Sequence, residues 1–444
     1  MNTITLQEKP KKEVEIKLVT DLGEEYHLPQ NNFNLPLECT CEKLNELVNK
    51  MLKLSPKKKF CFFINNIILS TTLSEFVNKN LVSTENVIEI FYMFEMNEPQ
   101  LKNTIKEDEW IKDIQIIQEM KFSPIKHKEY CVGLFNGEIS FYNGETNKKD
   151  FSLKNLVKTD EDTLALLTGV KYFKSTKSNN NLLIRTMRNS KYIFEIYDIN
   201  VKKQTDSLLY SNLKSGNENF SCIDINPLNF DSFALGGTEK DKGTIKIFTI
   251  PELKIKNENP SKKRKIEKNN LEPDFSFNDC HNSNVSCISW LNGEQILTGG
   301  DDYNLNLYNT VSKNLYMQVN TNYKKVNCFQ SISQNTFLAG YQDGTIKLYD
   351  SKAQNKSVLQ FKDPKAFCGY ISDISLSNDK QNHPNTFVTS SYDSSIKIWD
   401  IRGGNAPLYK METKSSEKNY TVKFNGIDTI LSGGDDSSVN IFTF

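Results

Sequence analysis

Four histidines are the first place to look for chemistry in this 444-residue chain: His27, His127, His281 and His383. They lie far apart. No His-Glu-x-x-His pair, Gly-x-Ser-x-Gly elbow or glycine-rich loop ending in lysine accompanies them. Metal-assisted hydrolysis, acyl transfer and P-loop phosphoryl transfer therefore lack their usual residues, and an active site assembled from scattered loops is the enzymatic alternative. The nine cysteines (Cys39, Cys41, Cys61, Cys131, Cys222, Cys280, Cys287, Cys328 and Cys368) form no Cys-x-x-Cys pair and fall mostly in apolar runs. They read as small buried hydrophobes of a reducing compartment, with no zinc site. The densest charge is Lys262-Lys263-Arg264-Lys265-Ile266-Glu267-Lys268. Adjacent like charges repel and prefer water, so the run belongs to a solvated loop. Its functional readings are a nuclear-import tag formed by Lys262, Lys263, Arg264 and Lys265, which we favour, and a contact with RNA phosphate.

The rest of the composition sets bounds. Formal net charge is +0, so no global field draws the chain to nucleic acid or an acidic membrane. No run of about 18 apolar residues could span a bilayer. Residues 1–12 are polar and lysine-rich without an apolar signal core, which argues against secretion. The length leaves room for more than one domain.

These residues must be positioned by a repeated element. Asn335–Asp350 holds a short apolar run, a turn at Asp343-Gly344 and the alternating run Thr345-Ile346-Lys347-Leu348-Tyr349-Asp350. Asp-Gly between two such runs predicts a hairpin, because both residues tolerate positive φ. The phrase returns at 387–400, 296–309 and 430–443, and more weakly at 233–249, 182–198 and 131–143. Its closing aromatics are Tyr142, Tyr197, Phe248, Tyr308, Tyr349, Trp399 and Phe442, separated by 41 to 60 residues. A WD-repeat blade needs about 40–45 residues and insertions lengthen it, so seven copies predict a seven-bladed WD-repeat β-propeller over 98–444. The basic run sits in a loop insertion at 251–275. The seventh copy ends at its third strand, and Leu101–Ile105 is the natural supplier of the fourth. Closing the ring this way removes free edges, so truncating either end should destabilise the whole propeller. Relative to WD repeats, His281 stands at the Gly-His position before Val285, with Cys280 in place of the glycine. Asp302 is expected in the tight turn of the same blade, where it would pair with His281 as a structural brace. The other blades lack the histidine, so packing should carry more of the load than polar tetrads. Asp343 and Asp393 share the turn position and read as turn formers.

Residues 12–96 have a different rhythm. Val14–Val19 and Phe33–Leu37 read as strands, and Thr40 caps a predicted helix over 41–54. Phe60–Ile64 and Ile67–Leu69 flank a turn at Asn65-Asn66. Thr72-Leu73-Ser74-Glu75 is a capping box for a short helix, and Val87–Phe94 is the last strand. The order ββαββ, short helix, β predicts a small ubiquitin-like β-grasp (α+β) domain. It runs on without a terminal Gly-Gly, which makes it a docking module.

The two-domain plan resembles the WD-repeat subunit of the Pescadillo–Bop–WD-repeat (PeBoW) complex, the yeast Ytm family, with its NLE-type ubiquitin-like domain. The resemblance spans residues 14–444. It is carried by Phe62-Phe63-Ile64-Asn65 with Leu69, Ser83-Thr84-Glu85-Asn86-Val87-Ile88-Glu89-Ile90-Phe91-Tyr92, Asp108-Glu109-Trp110-Ile111, the basic insertion, and Arg402-Gly403-Gly404-Asn405-Ala406-Pro407-Leu408-Tyr409. The first three blades match least well.

The resemblance implies a scaffold in large (60S) ribosomal subunit biogenesis, acting in the nucleolus and nucleoplasm as a single copy within a hetero-complex on the pre-60S particle. The propeller would bind a Bop-type WD-repeat protein that bridges to Pescadillo. The ubiquitin-like domain would bind the metal-dependent adhesion-type (MIDAS) domain of midasin, an AAA ATPase. The family's acidic docking residue falls on Glu85, whose carboxylate would complete the coordination of a Mg²⁺ held by the partner; the chain needs no cofactor of its own. Read without the resemblance, Glu85 is an ordinary exposed loop acid. Glu89 is less suitably placed, and Asp21, Glu24 and Glu25 could add charge around the contact. Two other readings stand beside this one. A Notchless-like midasin adaptor would carry an eighth blade, and a ubiquitin-ligase substrate receptor would carry an adaptor-binding helical pair, which is not seen.

Overall fold

The computed structural model describes residues 13–65, 67–83, 85–117, 128–154, 165–201, 203–213, 217–252, 270–353, 356–363, 369–379, 383–402, 406–413 and 415–444. The chain forms two compact units. In the first, strand β1 (Glu13–Val19) alternates, burying Val14, Ile16 and Leu18 on one face. It pairs antiparallel with β2 (Asn32–Pro36). Thr40 caps helix α1 (Cys41–Met51), accepting from the Lys43 N–H at 3.5 Å. The helix stops a turn short of the predicted Leu54. Lys53 takes a left-handed φ of 49°, which ends the helical ladder, although Leu54 still packs on the core.

Strand β3 (Phe60–Ile64) turns at Asn65, with φ 51°, into β4 (Ile67–Ile68). Thr72 caps helix α2 (Leu73–Asn80), accepting from the Glu75 N–H at 3.3 Å. Strand β5 (Ile88–Phe94) completes a sheet of order β2-β1-β5-β3-β4 in which β1 and β5 run parallel. Leu44 and Val48 of α1 are buried against this sheet, as a β-grasp requires.

The second unit holds seven four-stranded antiparallel sheets. The first six span residues 111–153, 166–213, 219–281, 285–320, 326–361 and 371–412. The seventh combines Asn419–Asn425, Thr429–Gly434 and Ser438–Thr443 with β6 (Gln100–Lys106) as its outer strand. Each innermost strand packs on the next, and the seventh packs on the first, so the sheets close a ring: a seven-bladed propeller. All seven closing aromatics lie on third strands and are buried. The seam between first and last blades joins Ile111, Ile114 and Val132 to Leu431, Val439 and Ile441, with Ile105 of β6 against them. Ion pairs stitch other neighbours: Lys171 to Asp224 at 2.8 Å and Lys423 to Asp373 at 2.6 Å, each pair joining adjacent innermost strands.

Candidate functional site

The described histidines are not brought together. His27 Nε2 lies 2.9 Å from the Leu22 carbonyl in the β-grasp, and burial lowers the basicity of His383. His127 lies outside the described residues, as do Cys368 and the run Lys262–Lys265. His281 is buried, with Nδ1 2.9 Å from Asp302 Oδ1 and Nε2 2.9 Å from Thr298 Oγ1. The expectation that the pair shares one blade needs correcting. His281 ends the outer strand Phe275–His281 of the third sheet, whereas Asp302 sits in a turn of the fourth. The brace therefore ties two blades, because a sequence repeat begins one strand before its sheet does. Burial alone would raise the Asp302 carboxyl. The His281 hydrogen bond and charge, with hydrogen bonds from the Asn282 backbone and the Asn304 side chain, outweigh it and hold the carboxyl at about 2.

Asp302, Asp343 and Asp393 do one job. Each carboxylate accepts from the N–H two residues on: Asn304 at 3.1 Å, Thr345 at 3.1 Å and Ser395 at 3.0 Å. Asp436 does the same for Ser438 at 3.0 Å, and the Asn136 amide oxygen for Glu138 at 2.9 Å. The left-handed backbone falls on the following residue: Tyr303, Gly344, Ser394, Ser437 or Gly137, with φ between 53° and 85°. Of the two residues that tolerate positive φ, Gly344 adopts it and Asp343 does not; the acid serves through its side chain. Asp343 also pairs with Lys324 at 2.6 Å across to the preceding loop.

Glu85 lies on the loop feeding β5, the central strand of the β-grasp sheet. Helix α2 ends at Leu81, whose left-handed conformation lets its N–H bond the Val77 carbonyl. The Glu85 N–H donates to Ser83 Oγ at 3.3 Å, which holds the loop while the carboxylate stays exposed. Leu81, 91% exposed, and Val87, 45% exposed, flank it. Among the described residues Glu85 has no ion-pair partner, and no group of three or more His, Cys, Asp or Glu side chains could hold a metal ion. A lone exposed carboxylate of this kind can lend one oxygen to a cation that another protein already holds. Glu89, Asp21, Glu24 and Glu25 are also exposed.

A second surface escaped the sequence reading. At the end of the ring where innermost strands begin, aromatic rings touch in a chain: Trp110 to Phe135 at 5.8 Å, Phe135 to Tyr420 at 5.3 Å, Tyr420 to Tyr392 at 5.4 Å and Tyr392 to Tyr370 at 5.2 Å. Gln342 Nε2 extends it to the fifth blade by donating to the Tyr370 hydroxyl at 2.6 Å. Lys112 and Lys418 lie over the Phe135 and Tyr392 rings. Trp110 is 48% exposed and Tyr392 37%. Burial, with Asp435 beside it, pushes the Tyr420 phenol up to about 12, so it stays a neutral donor at physiological pH. Such a rim of aromatic area with polar tips matches what protein interfaces use as anchors. Its sequence signal was an aromatic at the start of an innermost strand or in a second-to-third-strand turn.

A family model described as NLE (NUC135) domain matches residues 14–77, and one described as WD domain, G-beta repeat matches 272–309, 315–350 and 358–400. Each WD match runs from the outer strand of one sheet to the third strand of the next. A Trichoplax adhaerens protein named ribosome biogenesis protein WDR12 homolog is 25% identical over 97% of this chain and 96% of its own length. Proteins of the same name are 24% identical in Nematostella vectensis, over 97% and 99%, and 21% identical in Anopheles gambiae, over 95% and 93%. Among solved structures, Chaetomium thermophilum Raptor aligns with a TM-score of 0.58 at 12% identity, covering 78% of this chain and 29% of that one, a likeness of fold alone. The chain thus carries an NLE domain followed by WD repeats, and is similar over nearly all its length to proteins named ribosome biogenesis protein WDR12 homolog.

Proposed function

We propose that this chain is a non-enzymatic scaffold of large ribosomal subunit biogenesis and pre-rRNA maturation. The observation that carries the reading is end-to-end similarity, over 97% of the chain, to proteins named for ribosome biogenesis. Its two domains, 12–96 and 98–444, divide the work. The propeller holds a Bop-type WD-repeat protein, and through it Pescadillo, on the pre-60S particle in the nucleolus and nucleoplasm. The aromatic rim from Trp110 to Tyr370 is the surface best equipped for that contact, since rings held against one another supply apolar area at low entropic cost. The ubiquitin-like domain presents Glu85 to the MIDAS domain of midasin. Mg²⁺ would come with the partner, and Glu85 would supply one oxygen ligand and one negative charge.

The test is binding of the full chain to a purified MIDAS domain, with Mg²⁺ and with EDTA. We expect metal-dependent binding that Glu85→Ala abolishes and Glu89→Ala leaves nearly intact, while both variants still bind the Bop-type protein. Loss of both partners in Glu85→Ala would point to misfolding and overturn the ligand role. Equal binding in Mg²⁺ and EDTA would remove the metal from the contact.

A further inference from the structure

Strand β2 borders the β-grasp sheet, and among the described residues no strand pairs with its outer side. The Leu18 N–H donates to the Asn31 carbonyl at 2.9 Å, and the register runs on through Ile16 opposite Phe33 and Val14 opposite Leu35. Hydrogen-bonded positions alternate in an antiparallel pair, so Phe33 and Leu35 spend their backbone groups on β1. Asn32 and Asn34 turn theirs outward. The Asn32 carbonyl accepts from the exposed Gln30 side-chain amide at 3.1 Å, a contact a stronger partner can displace. Pro36 has no N–H and ends the open ladder.

Beside this edge a groove of about 290 Å³ runs between β2 and α1. Leu35, Pro36 and Leu47 supply its apolar lining, and Lys43, Glu46 and Lys50 of α1 rim it. The three rim residues are exposed and have no ion-pair partner among the described residues. Two lysines against one glutamate leave the rim net positive. No aromatic side chain lines the groove, so bases would find no ring to stack on. A second copy of β2 pairing edge to edge would set lysines against lysines. An extended peptide meets neither objection: it can satisfy the open backbone groups and seat alternate side chains in the groove.

We infer that the β2–α1 groove binds an extended acidic segment of a partner protein. The segment adds to β2 at Asn32 and Asn34, places a large apolar side chain against Leu35, Pro36 and Leu47, and sets carboxylates by Lys43 and Lys50. The site is distinct from the Glu85 loop, since β1 separates β2 from β5 in the sheet, and the inference does not rest on the MIDAS reading.

The test is selection of random twelve-residue peptides displayed on phage against the immobilised full chain, with counter-selection on the Lys43→Glu/Lys50→Glu double variant. We expect enriched sequences with a large apolar residue flanked by Asp or Glu. Synthetic copies should lose about tenfold or more in affinity for the double variant, as close charge pairs do. They should weaken similarly for Asn34→Pro, which removes one outward N–H and leaves the β1 ladder whole. Glu85→Ala should bind them unchanged. No enrichment over the counter-selection, or enriched peptides without acids, overturns the inference. So does oligouridylate binding that the double variant abolishes, or self-association in sedimentation that Asn34→Pro abolishes. Unchanged thermal midpoints of the variants exclude misfolding.

Discussion

At the scale of single residues, the propeller uses charge as mortar between elements. His281 spends both ring nitrogens inside the protein, one on Asp302 and one on Thr298, and so links the third and fourth sheets. Removing it leaves buried polar groups without partners, a cost of about 2 kcal/mol. His281→Ala should therefore lower the unfolding free energy obtained from urea titration by about that amount, seen as a lower midpoint at an unchanged m-value. The same geometry sets a pH dependence. The Asp302 carboxyl sits at about 2 in the folded chain, below its ordinary value. Its contribution to stability is complete above about pH 4, the unfolded range, and is lost as pH falls through the folded value. Thermal midpoints measured down through that window should fall less steeply in Asp302→Asn than in the parent. Asp343 and Asp393, also held below the carboxylate range by hydrogen bonds that outweigh their burial, keep part of the slope in either protein.

At the scale of elements, the repeated phrase works because each of its parts meets a separate demand. Its acid holds the turn through a side-chain hydrogen bond, and the next residue takes the left-handed backbone. The glycines answer to packing. A Cβ at Gly299 would come within 2.9 Å of the Val326 side chain, and one at Gly433 within 2.5 Å of Ile111. Both contacts reach the next sheet's innermost strand, so a bare backbone there lets neighbouring blades close up. The element that completes the ring is β6, which pairs antiparallel along Ser438–Thr443 and brings Ile105 to the seam of first and last blades. A chain beginning at Glu107 should unfold at a lower temperature than the full chain, with protease cleavage starting in the exposed seventh blade. An unchanged midpoint would mean that the inner strands alone hold the ring shut.

At the scale of the whole molecule, a ring of seven blades and a small β-grasp are two compact units, each with a surface of its own. Among the described residues no helix is long and apolar enough to cross a membrane. The basic run Lys262–Lys268 lies outside the described residues, in the insertion that joins the third and outer strands of the third sheet rather than two blades, because the sequence repeat begins one strand before its sheet does. If it is read by an import receptor, deleting it should reduce nuclear accumulation of a fluorescent fusion while leaving Bop-type binding intact. An unchanged nuclear signal would mean that the chain enters with a partner.

What the sequence determined by itself was whatever is written in short range. Alternation marked the strands, Thr40 and Thr72 marked helix starts, and the recurring turn and closing aromatic counted seven blades. Counting strands also sent Leu101–Ile105 to the seventh sheet, since a ring with one strand missing has only one place to put it. These signals are legible because period, capping and turn chemistry act within a few residues. The tertiary structure decided what depends on distant segments meeting. It moved His281 into a different sheet from Asp302, because the sequence repeat and the blade are offset by one strand. It assembled the aromatic rim from Trp110, Phe135, Tyr370, Tyr392 and Tyr420, which the first, sixth and seventh blades contribute and only ring closure brings into contact. It also set the open edge of β2 beside the Lys43–Lys50 face of α1, a juxtaposition that strand order fixes and no local pattern encodes.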